Sequence, residues 1–397
     1  MSRLADLINE LCPDGVEYKP LDEVAELKRG SGMPKKMFTD AGIPAIHYGH
    51  IYTKYGIYTK VAAAYVDKAN SQKLTLVYPG DLVVANTSEN LEDVGKAVTW
   101  LGESVAVTGG HATVVRSSVM NTVFLSYYFR TEEFSRKKQR YSRGTKVIEL
   151  SAVNLAKILI PVPPLEVQCE IVRILDQFTT LEAELEAELE AELEARQAQY
   201  EYYRNQLLSY DALASRGPVE WVKLKDIVSM RAGSSITSKD IATVADSSHV
   251  YPCYGANGIR GYVSAVTNRD NASIIGRQGA LSGNISFAEA PFFATEHAVV
   301  VTPKVKLVLR WLYHTLIVAE LSKYVTKSAQ PGLSVRRLEQ VEVLFPSIEE
   351  QQRIADILDR FDALVNDISL GLPAEIAARR AQYEYYRDRL LSFPEKK

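Results

Sequence analysis

One long stretch occurs twice in the chain, and whatever the chain folds into has to accommodate two copies of it. The run from Pro163 to Tyr210, PPLEVQCEIVRILDQFTTLEAELEAELEAELEARQAQYEYYRNQLLSY, returns from Pro346 to Phe393 as PSIEEQQRIADILDRFDALVNDISLGLPAEIAARRAQYEYYRDRLLSF. Matched residues stand 183 positions apart without a gap: Gln168 with Gln351, Ile171 with Ile354, Asp176 with Asp359, Phe178 with Phe361, Tyr203 with Tyr386. A repeat of that length means a duplicated architecture. In the first copy Ile171, Ile174, Leu175, Phe178 and Leu181 recur at steps of three and four, the spacing of one helix face, and the second copy does the same. Each copy predicts a long helix, roughly 65–70 Å if unbroken, entered through the helix-starting prolines Pro163, Pro164 and Pro346. Gly371, Leu372 and Pro373 predict a kink or break in the second.

With 397 residues there is room for two or three domains, and 46% apolar with 24% charged residues is the balance of a folded chain with its own cores. No run of 18 apolar residues occurs and MSRLADLINELCPDG lacks a signal-peptide core, so a cytoplasmic location is expected. Cys12, Cys169 and Cys253 are odd in number and far apart, which argues against a disulfide framework or a thiolate zinc site. The formal net charge of −3 looks wrong for a nucleic-acid binder, yet seven glutamates crowd residues 182–194, and the remainder of the chain carries +4. Where the charge sits matters more than its sum.

Before each long helix lies a segment of short alternating runs and turn residues. In the first, Tyr78-Pro79-Gly80-Asp81 signals a turn, Leu82-Val83-Val84-Ala85 a strand, and Asn86-Thr87-Ser88-Glu89-Asn90 an exposed loop at its end. Residues 123–141, VFLSYYFRTEEFSRKKQRY, predict one helix with a basic end. The second segment opens with GPVEWVKLKDIV, an echo of DGVEYKPLDEV, and later EHAVVV echoes GHATVV. The frames match while the middles diverge, VVANTSENL against IIGRQGALS. Such a pattern suits two readers of one kind of object that recognise different versions of it. The order reader, helix, reader, helix predicts two antiparallel helices with a reader at each end, an approximate twofold within one chain, and LADLINEL at the start supplementing the end of the second helix.

Inside the first helix Leu181, Leu185, Leu189 and Leu193 define a four-residue unit, LEAE, that ends as LEAR. Steps of four drift about 40° per unit against the helical turn, so the leucines wind slowly around the rod, with the alanines opposite. A glutamate-coated, solvated spacer is the plain reading. The sharper one makes the repeat a ruler, because one more unit adds about 6 Å, nearly two base-pair steps.

At these residues the chain resembles the specificity subunit of type I restriction-modification systems, the HsdS family, over nearly its whole length. The resemblance is carried by PPLEVQCEIVRILDQF and PSIEEQQRIADILDRF, by QYEYYRNQLLSY and QYEYYRDRLLSF, by SAQPGLSVRRLEQVEV, and by YGANGIRGYV and ANTSENLEDVGKA. The tetrapeptide repeat resembles the branch with such a spacer. It implies an α+β chain of two α/β target-recognition domains, residues 16–162 and 211–345, separated by antiparallel helices, residues 163–210 and 346–397, that form a coiled-coil spacer, with residues 1–15 completing the distal helical region. It also implies a non-catalytic protein that binds a two-part sequence in double-stranded DNA and scaffolds two methyltransferase subunits and two restriction subunits, away from any membrane. S-adenosylmethionine, ATP and magnesium would belong to those partners, and no cofactor to this chain.

The residues themselves carry no catalytic signature. There is no phosphate loop, since Asn90 stands where the first glycine before Gly95-Lys96 is needed, and Val162-Pro163-Pro164-Leu165 lacks the polar and aromatic ends of an amino-methyltransferase motif. His47 and His50 could ligate a metal but lack supporting ligands, and His111 and His297, at matching places, read as structural. Phosphate contacts are expected from Lys35, Lys36, Arg136, Lys137, Lys138, Arg140, Arg143 and Lys146 in the first reader, and from Arg231, Arg260 and Lys327, with Arg269, Lys323, Arg336 and Arg337, in the second. Base readers are expected among Tyr48, His50, Tyr52, Asn86, Thr87 and Ser88, and among Tyr254, Asn257, Arg277 and Gln278. Tyr200, Tyr203, Tyr383 and Tyr386 fall on helix faces that would pack. Tyr202 and Tyr385, with Tyr203 and Tyr386, are candidates to meet the methyltransferase. A two-headed protein adaptor that never touches DNA is the alternative, which the basic clusters oppose.

Overall fold

The structure, a computed structural model, describes residues 3–279, 281–326, 332–366 and 371–396. They divide into two units, Met1–Ala187 with Ala377–Lys397, and Glu188–Ile376.

In the first unit, strands Glu26–Arg29, Ala112–Arg116, Leu82–Ala85, Ala97–Trp100 and Tyr58–Thr59 form one sheet in that spatial order. A second sheet runs Phe38–Thr39, Tyr65–Val66, Ile43–Ile46, Ala106–Thr108, Thr75–Val77. The run Leu82-Val83-Val84-Ala85 is apolar throughout because both of its faces are covered. Val83 and Ala85 join Ile46, Val77, Ala106 and Trp100 in one core, while Leu82 and Val84 turn to the other side, against Phe124, Leu125 and Tyr128.

The helix expected over 123–141 is two, Thr122–Tyr128 and Glu132–Tyr141. Thr131 ends the continuity: its hydroxyl accepts the amide of Phe134, and Glu132 and Glu133 follow in the first turn, where carboxylates suit the helix N-terminus. That capping signal stands in the sequence beneath an uninterrupted apolar pattern.

The second unit rebuilds the same frame. Strands Val228–Ala232, Ala298–Pro303, Ala272–Gly276 and Ile285–Ala288 make one sheet, and Gly258–Val263, Tyr251–Gly255 and Phe293–Ala294 another. The correspondence reaches single hydrogen bonds. Asn86 N donates to His111 O as Arg277 N does to His297 O; Leu150 N donates to Asn86 O as Leu333 N does to Arg277 O; Gly30 N donates to Ala112 O as Gly233 N does to Ala298 O.

Among the described residues the repeated stretch forms three long helices: α1 (Leu165–Leu207), α2 (Ile348–Asn366) and α3 (Leu372–Leu390). The first copy is one helix of 43 residues. The described part of the second is two helices, and Pro373 sits at the start of α3, where a missing N–H costs nothing. Gln168 and Gln351 seat the helix starts identically. Each donates to the carbonyl of the proline five residues before it, Pro163 or Pro346, and accepts a backbone amide of its own unit, from Asn121 or Val308.

In the first unit α1 and α3 run antiparallel, since Thr179 meets Tyr383 and Glu186 meets Arg380. Both chain ends lie in this unit. Val16 N donates to Pro394 O, Lys396 N to Val16 O, and Leu4 and Cys12 share a core with Leu391 and Phe393. Gly15, at φ +91°, lets the strands approach, because a Cβ there would stand 2.5 Å from Pro394 O.

The repeat LEAE is less solvated than expected. Leu189 is buried and Leu185 and Leu193 half-buried, but Glu182 and Glu186 are half-buried too, and Leu181 is exposed. Among the described residues no helix is long and apolar enough to cross a membrane.

Candidate nucleic-acid interface

Each unit ends its central strand at one edge, where the sequence places candidate base readers. In the first unit that edge is aromatic. Tyr48 opens the helix Tyr48–Thr53, its ring 5.0 Å from His111 and 6.3 Å from Tyr52, and Phe38 meets His47 edge-on at 5.4 Å. His47 is buried and caps that helix through Nδ1, which accepts the amide of Gly49. Burial, with His50, Lys35 and His111 nearby, holds its pKa down at about 4, so the ring is neutral at pH 7. Burial and neighbouring Lys54 and Lys35 push His50 the same way. Tyr48, His50 and Tyr52 are half-exposed.

Asn86, Thr87 and Ser88 are not a surface loop. They are buried, Asn86 completely, and Thr87 and Ser88 form a short strand paired with Ile148–Glu149. Asn86 Oδ1 accepts from Thr113, and Thr87 Oγ1 lies 3.0 Å from His111 Nδ1. Expecting these side chains at a groove edge was wrong, because the strand LVVA continues through them into a second pairing. Lys138, expected at the phosphates, is instead turned into the protein. It is 3% exposed, and its Nζ donates to the carbonyls of Glu92 and Val94, with burial lowering its pKa to about 8. Lys137 is engaged by Glu133, Tyr128 and the carbonyl of Leu159. Lys35, Lys36, Arg136, Arg140, Arg143 and Lys146 are exposed, the first two beginning the short 3₁₀ turn Lys35–Met37.

At the corresponding edge of the second unit, Tyr254 is buried against Phe292 and cannot present its ring to a base. Asn257 is exposed and accepts from Asn284 Nδ2, Arg260 is exposed and donates to Ser238, and Arg231 is exposed on its strand. Gln278 is exposed and bridges Gly332, while Arg277 is half-buried beside it. Lys327 lies outside the described residues. Thr295 and Glu296 belong to this edge, and no sequence expectation named them. The signal was present in the echo of EHAVVV and GHATVV, where Glu296 faces Gly110 across the duplication.

Away from these edges, a polar knot ties the helices to each unit. In the first, Tyr127 OH donates to Asp176 and lies 3.1 Å from Thr179, which also meets the hydroxyl of Tyr383. In the second, His314 Nε2 is 2.8 Å from Asp359, its Nδ1 3.1 Å from Tyr200 OH, and Arg310 binds Asp359 and Asp362. Tyr200 and Tyr383 are the same residue of the repeat, as are Thr179 and Asp362. Tyr202 and Tyr385, each about 60% exposed, point outward; Tyr203 stacks on Phe361, and Tyr386 lines an apolar groove with Phe178, Leu181 and Leu185.

This duplicated arrangement matches known proteins. The family described as type I restriction modification DNA specificity domain matches residues 13–195 and 217–378. The chain is 36% identical over 394 residues to the type I restriction enzyme EcoprrI specificity subunit of Escherichia coli, covering 93% of each. Its fold is similar to a chain solved in work on complex assembly and conformational transition of the type I R-M system, at TM-score 0.65, 19% identity and coverage of 96% and 98%. It is likewise similar to the HsdS subunit from Thermoanaerobacter tengcongensis, at TM-score 0.56, 19% identity and 96% of each chain. The chain therefore belongs to the type I restriction-modification specificity subunits, which serve DNA target recognition and are not themselves catalysts.

Proposed function

We propose that this chain recognises a two-part DNA sequence, one part by residues 16–162 and the other by residues 211–345, with an unread gap between them. What supports the reading is a frame rebuilt in both units down to matched hydrogen bonds at the central strand end, while the side chains at that edge differ: aromatic and neutral in the first, Arg277, Glu296 and Asn257 in the second. One frame with two chemistries gives one docking mode and two sequence preferences. Exposed Lys35, Lys36, Arg136, Arg140, Arg143 and Lys146 hold phosphates in the first unit, as Arg231 and Arg260 do in the second. Residues 163–210 and 346–397, with 1–15 completing them, recruit two methyltransferase subunits, in part through Tyr202, Tyr203, Tyr385 and Tyr386. Through these the chain joins two restriction subunits in the cytoplasm, and S-adenosylmethionine, ATP and magnesium stay with the partners.

Footprinting of the chain assembled with its methyltransferase subunits tests this. Two protected patches about a helical turn apart, both weakened by salt, are expected. A single protected block would refute the two-part reading, and no protection would favour an adaptor that grips only proteins.

A further inference from the structure

The edge of the second unit holds two oppositely charged side chains whose buried polar atoms are left without partners. Arg277 Nε and Glu296 Oε2 are both buried and unbonded, as is the hydroxyl of Thr295 beside them. A buried polar atom without a partner costs free energy, so side chains kept in that condition at an edge point to a ligand that supplies the partners. The backbone beneath them is tightly held. Arg277 N donates to His297 O, Arg277 O accepts from Leu333 N, and Thr295 N donates to Tyr254 O. Gly276 lies so close to Ala256 that a Cβ would stand 2.2 Å from its carbonyl oxygen. Arg277 follows the strand Ala272–Gly276 and Glu296 sits in the turn before its partner strand Ala298–Pro303, and the Arg277 amide bonds to the carbonyl of His297, the residue next to Glu296.

We propose that Arg277 and Glu296 together read one G·C base pair in the half of the target bound by the second unit, an inference that rests on the DNA-reading function proposed above. A guanidinium donates to guanine O6 and N7, and a carboxylate accepts from cytosine N4. Those groups lie side by side on one base-pair edge of the major groove, so two side chains carried by adjoining, hydrogen-bonded segments suit one pair better than two separated steps. A carboxylate facing DNA is repelled by phosphates, and the base amino group is the part of the duplex it can bind favourably. Glu296 Oε1 lies 3.5 Å from His297 Nε2, which orients the carboxylate. The first unit cannot read the same pair in this way. There the equivalent positions are Asn86, fully buried and uncharged, its Oδ1 taken by Thr113 and its Nδ2 also without a partner, and Gly110, which has no side chain and so offers no carboxylate. The duplicated frame thus carries a charged pair in one unit only, and the two half-sites differ at this position.

The test is methylation of a DNA library, randomised in each half-site in turn, by the chain assembled with its methyltransferase subunits. Glu296→Ala and Arg277→Lys should both relax discrimination at the same single base pair, a G·C pair in wild type, by about tenfold or more. Glu296→Gln should move the preference there toward adenine in place of cytosine, since glutamine binds adenine N6 and N7. The half-site of the first unit should stay unchanged, which also reports that each variant is folded. The inference is overturned by an unaltered second half-site, by relaxation at two different positions, or by a uniform loss over all sequences while the first half-site is kept. If the wild-type complex itself shows no two-part preference, the underlying DNA-reading function fails instead.

Discussion

Lys138 shows what a residue's place in the fold does to a charge. In sequence it belongs to a basic run, RKKQR, that reads as a phosphate-binding patch. In the structure its ammonium is turned inward onto the carbonyls of Glu92 and Val94, beneath the loop after the central strand. Helical spacing separates it from exposed Arg136 and Arg140, and no composition argument could reveal which of the five faces in. Lys138→Ala should lower stability by roughly 2–3 kcal/mol, the scale of hydrogen bonds to a charged group, and leave the salt dependence of DNA binding as it was. Denaturant melts and binding titrations at several salt concentrations separate the two effects; a shallower salt slope would return Lys138 to the phosphate contacts. His47 makes a pH prediction on the same footing. Its folded pKa of about 4 lies below the unfolded value of about 6.5, so the unfolded chain binds the extra proton between them. The contribution is intact above about pH 6.5 and is lost as pH falls toward 4, up to about 3 kcal/mol. A His47→Gln variant, compared with wild type at pH 7 and pH 4.5, should show a smaller fall in stability over that interval. Equal falls would mean that His47 is not buried as a neutral ring.

At the scale of elements, the long helices were the most legible part of the chain, because apolar spacing over many turns leaves few alternatives and the second copy repeats the first. Gln168 and Gln351 show why that legibility was deep: each copy keeps the glutamine that ties the helix start to the proline before it and to a loop amide of its own unit. The split at Thr131 was signalled by Thr131-Glu132-Glu133 but masked by the apolar pattern that runs across it, whereas the pairing of Thr87 and Ser88 was not legible, because the strand that partners them is decided by the fold. The LEAE repeat is the element whose length is open to change. Leu185, Leu189 and Leu193 face inward to differing degrees and the alanines between them are exposed, so one more unit preserves the pattern. Inserting LEAE after Glu188 should lengthen α1 by about 6 Å and rotate its C-terminal part by about 40°. We expect the preferred gap to grow by one or two base pairs with both half-sites unaltered, as mapped by the positions of methylated adenines. An unchanged gap would contradict a ruler role for this helix.

For the whole molecule the decisive quantity is where charge sits. A chain of net charge −3 binds a polyanion only if its acidic residues are kept away from the phosphates, and here seven of the 49 acidic residues crowd one stretch of α1. Some of that charge is neutralised within the protein, as where Glu186 meets Arg380. The exposed cations of the first unit are therefore free to act at short range, and counterion release offers a way to count them. Each phosphate neutralised contributes about 0.9 to the slope of log affinity against log salt. Lys35 and Lys36 are exposed at the start of their 3₁₀ turn, where a duplex can reach both. Replacing both with glutamine should make that slope shallower by about 1 to 2 and weaken binding by the same factor on every sequence, because phosphate contacts carry no base information. Both half-site preferences should persist, in contrast to Glu296→Ala, which should alter one preference and leave the slope nearly unchanged. If the double substitution leaves the slope as in wild type, these lysines do not meet phosphates, and the DNA must approach the first unit from the side of Arg136 and Arg140 instead.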